Sequence, residues 1–177
     1  MQKKLNRRVW SFLLAIFLLG FTVATDVMPV TQAFAAEAVT IAGWEYTAAP
    51  ESGLPASATT GSGMLSILGG TYTGYGSKSL AANAWSVGGG WVMDVNAAGY
   101  SNLKFSAKMR SSATGPGAFN LQYSIDSGAT WTTIEGSDIT IASTSLSDTY
   151  SNFALPEILN NCAFQLRVTI SSAIAQN

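Results

Sequence analysis

Hydrophobic and polar residues alternate along several short segments, most regularly around residue 120. Four large side chains are separated there by small or polar ones: Phe119, Leu121, Tyr123 and Ile125. This two-residue period is typical of a strand with one buried face. The segment reaches a turn at residues 126–128 and resumes at Thr130, so the pattern predicts a β-hairpin.

The same alternation predicts further strands, each bounded by clusters of Gly, Ser, Thr, Asn or Pro. They are expected at residues 39–46, 64–68, 90–95, 103–109, 138–142, 150–155 and 164–170. Residues 48–62 and 72–87 are expected to be loops, and no segment has a helical period. Short strands at this spacing predict an all-β fold, an antiparallel β-sandwich of jelly-roll type. Because such a sandwich needs one more strand, we expect its last strand to be missing and the chain to be a truncated module.

The first 36 residues have the pattern of a secretion signal. Basic residues at positions 3, 4, 7 and 8 precede an apolar run from 9 to 23, and Ala-x-Ala sites end at Ala35 and Ala38. The run approaches the roughly 17 to 25 residues of a membrane span, but polar residues interrupt it and a cleavage site follows. We therefore expect residues 1–36 to be removed and residues 37–177 to form one secreted or cell-surface domain without a membrane span.

Few charges remain beyond this signal: five basic and nine acidic residues, a net charge of −4. The lack of a basic patch argues against nucleic-acid binding, whereas a surface of hydroxyls and amides suits sugars or a cell wall. Cys162 is the only cysteine, so we expect it to be half-buried on a strand or paired between molecules. Export without disulfides is typical of a Gram-positive surface protein.

The usual catalytic motifs are missing from the sequence. The chain has no histidine, which excludes a Ser-His-Asp triad and histidine metal sites. Cys162 consequently has no histidine partner, and no motif singles out a glycosidase pair among the acids. We therefore expect no enzymatic activity.

The predicted hairpin turn has the spacing Ser124-x-Asp126-x-Gly128-x-Thr130-Trp131. Asp126 is expected to accept hydrogen bonds from turn amides, Gly128 to adopt a positive φ, and Trp131 to pack under the turn. The spacing resembles the Asp-box on sialidase propeller blades. Because a propeller needs several copies and this chain has one, the resemblance implies a structural turn and no sialidase activity.

A longer run, from Lys108 to Asp126, resembles the β-sandwich modules of large exported proteins of bacilli and their relatives. Four shorter segments fit the same modules: Gly43-Trp44, Ala84-Trp85, Leu155-Pro156 and Leu166-Arg167-Val168. The resemblance covers most of residues 39–172, but the modules' closing Asp-containing strand has no counterpart here. Such modules often lie beside surface-layer (S-layer) anchoring repeats or metallophosphatase or nuclease domains, and no catalytic activity carries over to this chain.

Aromatic residues in or beside the predicted loops are the candidates for ligand contact: Tyr72, Tyr75, Trp85, Trp91 and Tyr100. Exposed rings with amide neighbours commonly stack on sugar faces. We assign ligand binding to Tyr75, Trp85 and Trp91, with core packing as the alternative for Trp91. Trp44 and Trp131 are expected in the core.

Charged side chains give weaker signals. Loop carboxylates such as Asp94 or Glu45 could bind calcium, although no ligand spacing marks a metal site and no other cofactor is expected. Lys104, Lys108 and Arg110 are expected to form a solvated stripe or to pair with acids on a neighbouring strand. A role in binding anionic wall polymers is a further alternative for these residues.

Together these patterns predict a non-catalytic, exported module that binds carbohydrate or cell-wall polymer or acts as a spacer. The alternative is an orphaned N-terminal module of a larger surface metallophosphatase, nucleotidase or endonuclease, with no activity of its own.

Overall fold

Strands account for nearly all regular structure in the computed structural model, which describes residues 37–50, 53–76, 79–141 and 144–175. The predicted secretion signal lies outside these described residues. In chain order the strands are β1 (Ala42–Gly43), β2 (Ala56–Ser57), β3 (Thr60–Gly61), β4 (Gly63–Leu68), β5 (Thr71–Gly76), β6 (Ser79–Asn83), β7 (Gly90–Asn96), β8 (Lys104–Met109), β9 (Pro116–Ser124), β10 (Thr132–Thr133), β11 (Ile139–Thr140), β12 (Ser147–Ala154) and β13 (Ala163–Ala175). A turn of 3-10 helix, Glu157–Leu159, precedes β13. None of the described residues belongs to a helix long and apolar enough to cross a membrane.

One large antiparallel sheet forms the first layer, in the order β10-β9-β13-β7-β4-β2, with β11 also pairing with β9. Strand β13 pairs with β7 on one side and with β9 on the other. Its alternation places Phe164, Leu166, Val168 and Ile170 on one face, where each is at most 6% exposed. That face of the sheet forms the floor of the hydrophobic core.

Two separate strand pairs, β8–β12 and β5–β6, form the second layer. On β8, Phe105, Ala107 and Met109 pack against the core, while the residues between them are exposed. On β12, Tyr150 is buried and its hydroxyl donates a hydrogen bond of 2.7 Å to the carbonyl of Ser137; burial raises the pKa of this hydroxyl. Leu80 of β6 packs against the same core. The prediction of an all-β, antiparallel, sandwich-like fold is confirmed.

The strand predicted at residues 39–46 is much longer than the strand that the structure shows there. Of the strand expected at residues 39–46, only Ala42–Gly43 pairs, with β3. Val39, before this pair, is 62% exposed, whereas Ile41 packs against the core. Apolar side chains alone do not make a strand where no neighbouring strand completes the hydrogen bonds.

The prediction of a loop at residues 72–87 is also wrong, because most of these residues form the β5–β6 hairpin. Its residues are mainly Gly, Ala, Ser and Tyr, which leave no alternation of large apolar and polar side chains to read. Two further strands of two residues each, β2 and β3, interrupt the loop expected at residues 48–62. Cross-strand pairing, rather than intrinsic preference, extends the chain at these places.

Replacing Leu121 tests the position of the core. This side chain on β9 is 0% exposed, so Leu121→Ala is expected to lower the free energy of unfolding by about 2–5 kcal/mol through lost burial and the cavity left behind. Urea unfolding followed by tryptophan fluorescence measures the change. The matched control is Leu68→Ala in the same sheet, where Leu68 is 46% exposed and the expected loss is about 1 kcal/mol or less. Equal losses in the two variants would contradict the assigned core face.

Candidate functional site

A cleft of about 920 Å³ opens beside the apolar face of the large sheet. Its floor is formed by Trp91, Phe119, Val168 and Ile170. Val168 lies opposite Trp91, and Ile170 lies opposite Phe119, so the four side chains share one face. The walls are two continuous stretches, residues 79–87 and 108–116.

The walls of this cleft include strand edges. All five residues of β6 line it, although successive side chains of a strand point to opposite faces. Strand β6 therefore presents its edge to the cleft. Lys108 and Met109 are consecutive residues at the end of β8 and both line the cleft, so β8 presents its edge there as well. Within the described residues β6 pairs only with β5, and β8 only with β12. The second layer is thus interrupted at the cleft.

Two of the three predicted binding residues, Trp85 and Trp91, meet at this cleft. Their ring centroids are 5.7 Å apart with an interplanar angle of 69°, the edge-to-face geometry that aromatic pairs favour. The indole N–H of Trp85 donates a hydrogen bond of 3.1 Å to the carbonyl of Ala82. A Cβ at Gly70 would lie 2.5 Å from the Trp85 ring, so only glycine lets the ring pack there. The pair is held in place and remains half-buried.

The third predicted residue, Tyr75, lies on β5 opposite Leu80 of β6. Its side chain is outside the described part of the structure, so a role in binding stays a prediction. Sequence reasoning missed the polar wall of the cleft, which follows β8. This wall carries a guanidinium and several hydroxyl groups, from Arg110, Ser111, Ser112 and Thr114. In the sequence, a run of hydroxyl-bearing residues directly after a basic residue is the signal that identifies this wall.

The charges that line the cleft all have one sign. Lys108 and Arg110 are the only ionisable residues among the described residues that line the cleft, and these described residues include no Asp or Glu. The remaining polar groups are hydroxyls and the amide of Asn83. An arrangement of apolar rings, hydroxyls and cations can bind a polar ligand.

A second, smaller groove of about 280 Å³ lies beside Asp94, Ile125 and Ser127. The Asp94 carboxylate accepts a hydrogen bond of 2.5 Å from the side-chain amide of Gln165. Among the described residues, no group of three or more His, Cys, Asp or Glu is placed to hold a metal ion. Neither Asp94 nor Glu45, the two carboxylates considered for calcium, therefore belongs to such a group.

The other two tryptophans lie in different surroundings. Trp44 packs against the core, as predicted, and its indole N–H donates to the carbonyl of Ala56 at 3.4 Å. Trp131 is not part of the core, so its predicted core position is wrong. The guanidinium of Arg167 lies 4.1 Å from the centroid of the Trp131 ring, a cation–π contact. Since Arg167 alternates with the buried residues of β13, this contact lies on the outer face of the sheet.

The Asp-box turn has the hydrogen bonds that its spacing suggests. The Asp126 carboxylate accepts from the hydroxyl of Ser124 at 2.7 Å, from the backbone N–H of Thr130 at 2.9 Å and from the Thr130 hydroxyl at 2.6 Å. The Ser124 hydroxyl accepts from the N–H of Gly128 at 2.8 Å, and Gly128 has a φ of 86°. These hydrogen bonds, led by that from the Thr130 hydroxyl, lower the pKa of Asp126 to about 2. The bonds stay within the turn, which indicates a structural role.

Two other sequence expectations concern single positions. Cys162 is half-buried, but it directly precedes β13 instead of lying on it, and its thiol contacts the carbonyl of Leu159 at 3.4 Å. Lys104 and Lys108 are exposed on β8, as the predicted polar stripe requires.

Comparison with known protein families, with curated proteins and with solved structures finds no match to this chain. The resemblance to exported β-sandwich modules therefore stays a prediction.

The Asp126 carboxylate is expected to make stability depend on pH. Because its pKa in the folded protein, about 2, is below the value of about 3.9 for an unfolded chain, its contribution is present above pH 4 and is lost as the pH falls towards 2. Asp126→Asn should therefore lower the urea midpoint at pH 6 and flatten its fall between pH 4 and pH 2. The control, Glu135→Gln, removes an exposed carboxylate without changing this turn. An unchanged pH dependence in Asp126→Asn would contradict the assigned role.

Proposed function

We propose that the protein is a non-catalytic, exported surface module that binds carbohydrate or cell-wall polymer in the cleft lined by β6, β7 and the segment after β8. The observation that carries this proposal is the pair of half-buried indoles, Trp85 and Trp91, at a cleft with a hydroxyl-rich wall. A sugar ring has an apolar face of C–H groups and a rim of hydroxyls. Aromatic rings pack against the apolar face, and hydroxyl and amide groups form hydrogen bonds with the hydroxyl rim.

The composition of the cleft supports binding rather than catalysis. Its described lining residues include no carboxylate, cysteine or histidine. They therefore do not supply the paired carboxylates of a glycosidase. The volume of about 920 Å³ lies within the range of small-molecule sites and accommodates a few sugar units.

Location at the cell surface is part of the same proposal. It rests on residues 1–36, where a basic region, an apolar run and a segment of small residues follow one another, as is typical of a secretion signal. It also rests on the net charge of −4 carried by residues 37–177. A weakly charged, hydroxyl-rich chain suits contact with wall polymers outside the cell.

Replacing Trp85 tests the cleft as a carbohydrate site. Trp85→Ala removes the ring that borders the cleft, so retention on immobilised cell wall or polysaccharide should weaken by at least about tenfold, or about 1.4 kcal/mol. Affinity electrophoresis of the secreted full chain against a panel of polysaccharides measures this. Trp85→Phe keeps a ring and should keep most of the binding, which separates loss of stacking from loss of folding.

The control for this experiment is Tyr100→Ala, since Tyr100 is an aromatic residue that is 43% exposed and does not line the cleft. Its binding should equal that of the unmodified chain. Failure of the folded, unmodified chain to bind any polysaccharide or cell wall would overturn the proposal.

A second candidate, a module of a larger surface enzyme, is favoured by the interrupted second layer. The edges of β6 and β8 that border the cleft have no strand partner there within the described residues. Unpaired N–H and C=O groups on such edges are a template for one more strand, and the floor supplies an apolar face for its alternate side chains. A segment of a longer polypeptide would join the two pairs into one sheet.

Hydrogen exchange tests this second candidate. If a longer protein carries the missing strand, amides of Ser79–Asn83 and Lys104–Met109 should exchange more slowly in it than in the 177-residue chain, because added backbone hydrogen bonds protect them. Reading the gene in frame beyond codon 177 for a metallophosphatase, nuclease or anchoring repeat provides the longer protein. Equal exchange in the two proteins would exclude a strand in the cleft.

A further inference from the structure

The charge of the cleft is opposite to the charge of the domain around it. Residues 37–177 carry a net charge of −4, yet both ionisable residues among the described residues that line the cleft, Lys108 and Arg110, are basic. A domain with net negative charge repels a polyanion over most of its surface. Basic residues at the cleft therefore favour binding of an anionic ligand there.

Arg110 is the better placed of the two cations. Lys108 lies within the paired part of β8, opposite Asp148 in the register with β12. Arg110 follows the end of β8 and begins the hydroxyl-rich wall. Its planar guanidinium can donate two parallel hydrogen bonds to a carboxylate or a phosphate.

The loop that follows Arg110 holds its hydroxyls close together. The N–H of Gly115 donates a hydrogen bond of 2.8 Å to the carbonyl of Ser112, which closes a turn. A Cβ at Gly115 would collide with the hydroxyl oxygen of Ser111, so the glycine lets this hydroxyl lie close to the turn. The cation, the hydroxyls and the indole of Trp85 thus line one continuous cleft.

We propose that the ligand of this cleft is an anionic polysaccharide, whose acidic groups pair with Arg110 while its sugar rings lie against Trp85 and Trp91. The proposal rests on the proposed carbohydrate-binding function and adds the class of polymer. Two sources share the required chemistry: polymers of uronic acids, which carry carboxylates, and wall polymers of polyol phosphate, which carry phosphates.

Binding to four polymers tests the proposal, with the full chain recovered from culture medium. The polymers are polygalacturonate, poly(glycerol phosphate), a neutral β-glucan and polyglutamate. At least one of the two acidic wall-type polymers should bind about tenfold more tightly than the β-glucan at low salt, and the preference should shrink as salt screens the charge. The stronger of these two identifies the source of the anionic group. Polyglutamate, which has charge but no sugar, should bind no better than the β-glucan.

Two charge variants complete the test. Arg110→Gln should weaken binding of the preferred acidic polymer about tenfold, because a charge-assisted hydrogen bond is lost, and should thereby remove most of the preference for this polymer over the β-glucan. The matched control is Lys104→Gln on the same exposed stripe of β8, since Lys104 does not line the cleft; it should bind like the unmodified chain.

The outcomes separate this proposal from the proposed function. Equal binding of neutral and acidic polysaccharides would overturn the anionic preference and keep the carbohydrate site. Equal weakening in Arg110→Gln and Lys104→Gln, or strong binding of polyglutamate, would show general charge attraction and overturn the role of Arg110. Binding of none of the polymers by a folded chain would overturn both proposals.

Discussion

The pairing of β13 with β7 on one side and β9 on the other is the constraint on which the rest of this structure depends. Because side chains alternate between the faces of a strand, a slip of one residue would turn the buried set on β13 towards solvent. Trp91 lies opposite Val168, and Phe119 lies opposite Ile170, so both aromatic rings are on the inner face of the sheet. The same register leaves Arg167 on the outer face, where it covers Trp131. The floor of the cleft and the environment of each of these aromatic residues follow from one alignment of strands.

The cleft exists because the second layer consists of two strand pairs that share a core but no hydrogen-bond ladder. Apolar side chains from both pairs pack on the large sheet, so the sandwich is held together without continuous pairing between β6 and β8. Between them the sheet face remains accessible, and the indole of Trp85 borders the opening. The two candidate functions differ in what occupies this space, a sugar polymer or an additional strand. A sugar polymer would be recognised by the side chains that line the cleft, whereas an additional strand would be recognised by the backbone groups of the strand edges.

Several features could be predicted from the sequence because they depend on short-range physics. The alternation at residues 103–109, 119–123 and 164–170 identifies strands and their buried faces, since only the two-residue period of a strand brings such side chains to one side. The prediction is wrong for Ile125, which follows the end of β9 and is 56% exposed. The hydrogen bonds of the Asp-box turn connect residues no more than four positions apart, so the spacing from Ser124 to Thr130 was enough to anticipate them. Trp85 and Trp91 were chosen as binding residues from their position beside loops, and both line the cleft.

The sequence by itself therefore determined the all-β class, the buried face of the strands at residues 103–109, 119–123 and 164–170, and the conformation of the hairpin turn. Only the tertiary structure decided that residues 72–87 form a hairpin, that Trp131 lies under Arg167 and that Arg110 shares a cleft with Trp85. Each of these depends on contacts between segments distant in sequence, or on pairing among small residues that leave no hydrophobic pattern. The physical reason is that a strand is stabilised by its neighbours in the sheet, and the identity of those neighbours is not encoded within the segment itself.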